Sequence, residues 1–282
     1  MVVFPNAKIN LGLYITARRP DGYHDLETVF YPVPLCDILE CMEAPELLFE
    51  SSGLPIPGDP EHNLVLKAWH VLRRDFPHLP PVHIHLHKII PMGAGLGGGS
   101  SDAAFMLKLL NQLFTLGLAN EQLLAYALEL GSDCPFFIQN QPAFASGRGE
   151  ILQPLSFSVP MGTIVLVYPA VHRSTAQAFQ QVTATAAPSH WLSFLQQPPA
   201  NWKIHIENVF EEGFFSSFPA LKSIKDRLYL EGADFVSLSG SGSSLFAIFQ
   251  SKNPESEYDW KSLFPGMTVF ELKHPVDSNR FG

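Results

Sequence analysis

Between residues 82 and 110 the periodicity of the chain switches from that of a strand to that of a helix across a cluster of glycines, and few folds accommodate such a switch. Val82, Ile84 and Leu86 alternate with His83, His85 and His87, which predicts a strand with one apolar face. Ala103, Leu107 and Leu110 then recur at helical spacing. Between the two, Gly93, Gly95, Gly97, Gly98 and Gly99 fall within seven residues, and Ser100 and Ser101 follow. A backbone without Cβ atoms turns sharply and lets a ligand come close. The helix, expected after residue 100, would point its first N–H groups into the loop, where its dipole favours an anion. Ser100 and Ser101 would add hydroxyls at the capping positions. This order suits the binding of a chain of phosphates.

Known phosphate loops fit unequally. The P-loop, Gly-x4-Gly-Lys-Ser/Thr, fails because no lysine stands inside or directly after the glycines. The dinucleotide fingerprint is met by letter at Gly93, Gly95 and Gly98, but it needs an acidic residue about 20 positions on, at the end of a second strand. Leu116 to Glu121 reads instead as a link between helices. A protein-kinase glycine loop would bring a companion lysine, His-Arg-Asp and Asp-Phe-Gly, and these are lacking. A turn with no ligand is disfavoured, since clustered glycines weaken a structure that has no use for them.

The run Pro91, Met92, Gly93, Ala94, Gly95, Leu96, Gly97, Gly98, Gly99, Ser100, Ser101 resembles the ATP-binding motif of the GHMP kinases, a family that takes in galactokinase, homoserine kinase, mevalonate kinase and phosphomevalonate kinase. Its Gly-Leu-Gly-Gly-Gly-Ser-Ser form is most similar to the branch whose substrate is 4-diphosphocytidyl-2-C-methyl-D-erythritol, in the non-mevalonate isoprenoid pathway.

The rest of the chain carries further matches. Residues 7–15 alternate, with Ile9, Leu11, Leu13 and Ile15 on an expected buried face and Lys8, Asn10 and Gly12 opposite. Taken alone Lys8 is a solvated lysine, but Ala-Lys-Ile-Asn is similar to the family's first motif and implies that Lys8 and Asn10 meet the substrate. Pro20-Asp21-Gly22 predicts a turn before a strand at 23–30. Tyr23 and His24 resemble the cytosine-recognition segment; an aromatic face stacks on a base and an imidazole bonds its edge. Residues 38–50 read as strand, 51–59 as a Pro/Gly loop, and Asn63 opens a helix to about Asp75. The resemblance places adenine-binding groups near Asn63 and Lys88. The three strand histidines could chelate a metal, but a solvated or helix-covered face is the simpler reading because no carboxylate accompanies them. A helix capped by Asn120 runs to Leu130. Asp133 then stands beside a proline and two phenylalanines, where a carboxylate needs a partner. On its own it is a capping residue; the family segment it matches carries the catalytic aspartate, with Cys134 replacing a common valine. Residues 163–168 predict a buried strand and 219–231 a helix. Thr175 and Phe179 match substrate-holding positions. Residues 185–203, polar and proline-rich, are expected to be a surface insertion. Val209 replaces a common aspartate, leaving Asn208 as a structural cap. Ser239 to Ser244, with Gly240 and Ser241, resembles the third motif, a strand–turn–strand that lines the site.

The resemblance implies an α/β (α+β) two-domain GHMP kinase fold, with residues 1–155 the ATP-binding half, 156–282 the second half and the site in the cleft between them. It implies ATP-dependent phosphorylation of the substrate's 2-hydroxyl, with Asp133 accepting the hydroxyl proton and Lys8 stabilising charge. Mg2+ would accompany ATP, with Ser100 or Ser101 as the motif's candidates. Competing readings are another small-alcohol kinase of the family, a dinucleotide-dependent oxidoreductase, and a non-catalytic homologue, against which intact Lys8 and Asp133 speak.

Bulk properties agree. A net charge of −9 over 282 residues argues against a nucleic-acid partner, which requires clustered cations. Three cysteines without a Cys-x-x-Cys suggest a reduced, cytoplasmic setting. An export signal and a membrane-spanning run of about 18 apolar residues are both missing. Oligomeric state is not legible.

Overall fold

The computed structural model describes residues 1–155, 162–171, 174–250 and 259–273. The chain begins with β1 (Val2–Val3) and a long hairpin, β2 (Asn6–Arg18) and β3 (His24–Cys36), followed by β4 (Ile38–Glu43) and β5 (Leu48–Gly53). Helix α1 (Leu64–Asp75) leads to β6 (Val82–Lys88), the glycine loop and α2 (Gly98–Leu113). Then come α3 (Asn120–Leu130), α4 (Cys134–Gln139), β7 (Ala143–Ser146) and β8 (Ile151–Pro154). The second half holds β9 (Thr163–Tyr168), α5 (Thr175–Gln180), α6 (Trp191–Phe194), α7 (Phe210–Ser217), α8 (Pro219–Leu230), β10 (Phe235–Leu238), β11 (Leu245–Phe249), α9 (Trp260–Leu263) and β12 (Thr268–Lys273).

Three four-stranded sheets result, ordered β1-β4-β6-β5, β2-β3-β7-β8 and β10-β11-β9-β12. Among the described residues only β5 and β6 pair in parallel, so there is no doubly wound parallel sheet to support a dinucleotide-binding reading. Leu39, Ile84 and Leu86 of the first sheet pack against Leu66, Leu107 and Leu110 of α1 and α2. The third sheet is covered on both faces. Ile164 and Leu166 meet the β2–β3 hairpin through Ile9 and Leu11, whereas Val165 and Val167 meet α7 and α8 through Phe214 and Ile224. Double coverage explains why residues 163–168 show no polar alternation.

Four local expectations are corrected. The alternation of β2 breaks at Gly12, where a bulge shifts the register so that Leu11 opposes Val29 and Leu13 opposes Thr28. Gly12 takes φ 68°, which glycine adopts without strain. Ile9 and Leu11 therefore stay in one core cluster while Leu13 and Ile15 cross into another. Helix α2 starts at Gly98 with Gly97 as its cap, which places Ser100 and Ser101 inside the first turn instead of at the cap. Helix α3 is capped from Ala119, whose N–H donates to Gln122 Oε1 at 3.0 Å, and Asn120 is already helical. Residues 185–203 lie largely at the surface, but they are anchored into the core and are not a loose insertion. Trp191, Leu195 and Trp202 are buried against the hairpin and the third sheet, and burying each such side chain is worth about 1.5–3 kcal/mol. Backbone bonds extend this contact: Leu13 N–H donates to Glu207 O at 2.8 Å, Val209 N–H to Leu13 O at 3.0 Å and Thr185 N–H to Ile15 O at 2.8 Å.

Candidate active site

The bulge that redirects Leu13 leaves Lys8 and Asn10 together on the β2 face opposite Ile9. Lys8 is 4% exposed, and its Nζ donates to Asn10 Oδ1 at 2.7 Å. Asn10 Nδ2 in turn donates to Thr28 Oγ1 at 3.0 Å, and the Thr28 hydroxyl to Gly12 O, so the bulge itself orients the asparagine. Lys8 Nζ lies 3.7 Å from Asp133 Oδ2 and 4.9 Å from the centre of the Phe30 ring. Burial lowers the Lys8 pKa, and the Asp133 carboxylate offsets this in part. Asp133 precedes α4 but makes no capping bond. Its side chain, 34% exposed, turns to Lys8 instead, which supplies the partner a carboxylate in apolar company needs. Burial pushes the neighbouring Cys134 thiol up to about 12, which removes it as a nucleophile.

The glycine loop is held from both halves. Lys8 N–H donates to Leu96 O at 2.9 Å. From the third motif, Ser239 Oγ donates to Gly95 O at 2.9 Å and Ser244 N–H to Ala94 O at 3.1 Å. A Cβ on Gly95 would stand 2.0 Å from the Ser239 carbonyl oxygen, so this close approach demands glycine. Asn208 does more than cap: its Oδ1 accepts from Phe210 N–H at 3.0 Å, and its Nδ2 donates to Leu238 O at 2.8 Å and Gly240 O at 2.9 Å, fixing the third motif. In α2, Ser101 is fully buried while Ser100 is partly open.

Asn63 and Lys88 border a cavity of about 270 Å³ beside the loop, with Leu64, Met92 and Gly99 on its wall. Asn63 Oδ1 accepts from Val65 N–H at 3.0 Å and so caps α1. The Lys88 ammonium, in contrast, is sealed between Asp37 and Asp102, with Asp102 Oδ2 at 2.6 Å, and both carboxylates are ion-paired to it. Its charge is thus engaged within the protein. Asp37 carries no local sequence signal. Asp102 carried one, as a lone acid on an otherwise apolar helix face.

A larger cavity, about 750 Å³, is lined by Tyr23, His24, Thr175 and Phe179 together with Arg18 and Arg148. The His24 and Phe179 rings lie 5.1 Å apart at 32°. The Arg148 guanidinium sits 4.9 Å from the Tyr23 ring centre. Thr175 Oγ1 is 3.5 Å from Ser241 Oγ, which brings the third motif to the rim. Ser132 also lines this cavity, directly before Asp133. The strand histidines lie elsewhere, and a carboxylate does accompany them: Glu50 Oε2 is 3.3 Å from His83 Nε2. Ser52 Oγ bonds His85 Nε2 and His87 Nδ1 at 3.0 and 2.9 Å, and no group of three metal-binding side chains occurs among the described residues.

Comparison with known proteins converges on one family. Models of the GHMP kinase N-terminal domain and the GHMP kinase C-terminal domain match residues 63–148 and 194–258. A 4-diphosphocytidyl-2-C-methyl-D-erythritol kinase of Bacteroides fragilis is 49% identical over 97% of this chain and 100% of its own length. That of Porphyromonas gingivalis is 43% identical over 94% of this chain and 100% of its own. A solved 4-(cytidine 5'-diphospho)-2C-methyl-D-erythritol kinase superposes with a TM-score of 0.83 at 31% identity, covering 98% of this chain and 100% of that one. A homoserine kinase from Cytophaga hutchinsonii, at 18% identity and a TM-score of 0.68, shares the fold. With two domain models in register and full-length relatives at such identity, the chain belongs to the GHMP kinase family.

Proposed function

We propose that the chain transfers the γ-phosphoryl group of ATP to the 2-hydroxyl of 4-diphosphocytidyl-2-C-methyl-D-erythritol. The observation that carries this reading is the meeting of Tyr23, His24 and Phe179 in one cavity that reaches Ser132, the residue directly before Asp133. Two aromatic rings and an imidazole suit a cytosine, and the reacting hydroxyl would follow toward Asp133. Phosphoryl transfer asks mainly for positioning and charge stabilisation. The loop from Pro91 to Ser101 receives the phosphates on its amides, with the adenine beside Asn63 and the Lys88 backbone. Asp133 accepts the hydroxyl proton, and the Lys8 ammonium stabilises charge on the transferring group. Asn10, Thr175, Gly240 and Ser241 complete the substrate side. Mg2+, which neutralises phosphate charge, fits the open Ser100 hydroxyl, whereas Ser101 Oγ is sealed. Residues 1–155 act as the nucleotide-binding half and 156–282 close the site. No helix among the described residues is long and apolar enough to cross a membrane, and the free thiols suit a cytoplasmic setting.

The test is ATP consumption by the purified protein with the cytidylyl substrate, homoserine and mevalonate. Turnover with the cytidylyl substrate alone is expected; equal turnover of homoserine or mevalonate would replace this substrate by another of the family.

A further inference from the structure

Between β7 and β8 the chain makes the turn Ser146-Gly147-Arg148-Gly149, closed by Gly149 N–H donating to Ser146 O at 3.1 Å. The turn is tied to β3, because Leu26 N–H donates to Gly147 O at 2.7 Å. Glu150 Oε2 secures it further by accepting from Arg148 N–H. It stands between the carboxylate assigned to the reaction and an aromatic assigned to the base. On one side, a Cβ on Gly149 would lie 3.6 Å from Asp133 Oδ1. On the other, the Arg148 guanidinium lies 4.9 Å from the Tyr23 ring centre. That guanidinium is held but not consumed. Its Nε is 3.7 Å from Glu150 Oε1, an ion pair too long for a hydrogen bond. Among the described residues the Arg148 side chain donates no hydrogen bond; only its backbone does. The cavity it lines holds a second arginine, Arg18, and no Asp or Glu among its described lining residues, although the chain carries a net charge of −9. Arg18 pairs across the hairpin with His24, at the outer end of β2, whereas Arg148 stands on the side of Asp133.

We propose that Arg148 binds the diphosphate of the substrate, and so sets a preference for a diphosphate link between the base and the alcohol. This rests on the cytidylyl reading above. With cytosine at Tyr23 and the hydroxyl at Asp133, the two phosphates that join them pass the turn lying between these residues. They bring two negative charges into an acidic protein and past the Asp133 carboxylate, and a fixed cation offsets that repulsion. A guanidinium presents paired N–H donors that match phosphate oxygens two at a time, while its planar face can stay on the Tyr23 ring. The absence of carboxylates from the described cavity wall leaves those donors to the ligand.

The experiment is calorimetric titration of cytidine and of cytidine 5'-diphosphate into wild type, Arg148→Gln and Arg148→Lys. Saturating ATP is present throughout, so that the diphosphate is kept out of the glycine loop. Wild type should prefer the diphosphate to cytidine. Arg148→Gln should lower that preference about 10- to 100-fold, the worth of hydrogen bonds to a charged group, while its affinity for cytidine stays within about threefold of wild type. Arg148→Lys keeps the charge but loses the fork, and should recover part of the preference. An unchanged preference in Arg148→Gln overturns the proposal. So does an equal loss for both ligands, because the arginine then serves the base or the Tyr23 ring. Should Arg148→Gln fail to fold, Arg148→Lys decides: its preference should fall about three- to tenfold, and a full wild-type preference overturns the idea. If wild type binds neither ligand, this proposal falls together with the cytidylyl reading. If wild type binds both and the variants keep its preference, this proposal falls alone.

Discussion

Lys8 and Lys88 flank the same loop, both are stripped of water, and both face aspartates, yet they are held in opposite ways. The Lys88 ammonium sits between two sealed carboxylates, one of which also grips Ile89 and Ile90. Lys8 has a single carboxylate partner, partly open and at 3.7 Å, and spends its short hydrogen bond on Asn10. A sealed buried ion cluster resists change, since removing one member leaves a bare charge. An ammonium with spare capacity beside an accessible carboxylate can accept a new charge when one arrives. The contrast supports the proposed division, with Lys88 holding the loop and Lys8 serving the reaction, although by alternation alone both are lysines at strand positions.

The largest expected effect tests the open pair. Asp133→Asn should retain ATP binding and lose turnover by about 10²–10⁴-fold in steady-state assays, the usual worth of a positioned base. Turnover near wild type in the folded variant would break the contrast at its functional end. Next, Lys88→Met strands the Asp37 carboxylate in the interior and should lower stability by about 3–5 kcal/mol in denaturant titrations. A loss below about 1 kcal/mol would mean that the sealed cluster holds little. Tyr23→Ala and Phe179→Ala leave both lysines untouched. Each should raise KM for the cytidylyl substrate by an amount equivalent to about 1–3 kcal/mol of stacking, with KM for ATP unchanged. The smallest effect is a stability slope. The folded-state pKa of Asp102 is raised from 3.8 to about 8, so the stability it contributes is complete below about pH 4 and is lost as the pH climbs to about 8. Asp102→Asn should lack this slope, and its melting temperature should gain on that of wild type by a few degrees toward pH 8.

Much of the site is legible in the sequence because it is local. The strand, the glycine run and the helix announce themselves by period, and Lys8 and Asn10 share a face by simple alternation. What is hidden depends on distant partners. Alternation assigned Leu13 to the same face as Leu11, and only the pairing of β2 with β3 reveals the bulge at Gly12. Asp37 sits between a cysteine and an isoleucine with nothing to mark it, and its role exists only once β6 lies alongside. The composition of residues 185–203 suggested solvent, but two tryptophans outweighed the prolines and polar residues around them.

That misread segment bears on how the molecule comes apart. The backbone bonds from Leu13 and Ile15 to Glu207, Val209 and Thr185 stitch the second half to a strand of the first. Trp191 reaches across as well, donating to Glu27 at 3.1 Å. A fragment ending near residue 155 would expose the Ile9, Leu11 and Tyr14 surface to water and leave part of the β2 backbone unpaired. Two lobes in outline are therefore one cooperative unit in thermodynamics, and heating should melt nucleotide site and substrate site in a single transition.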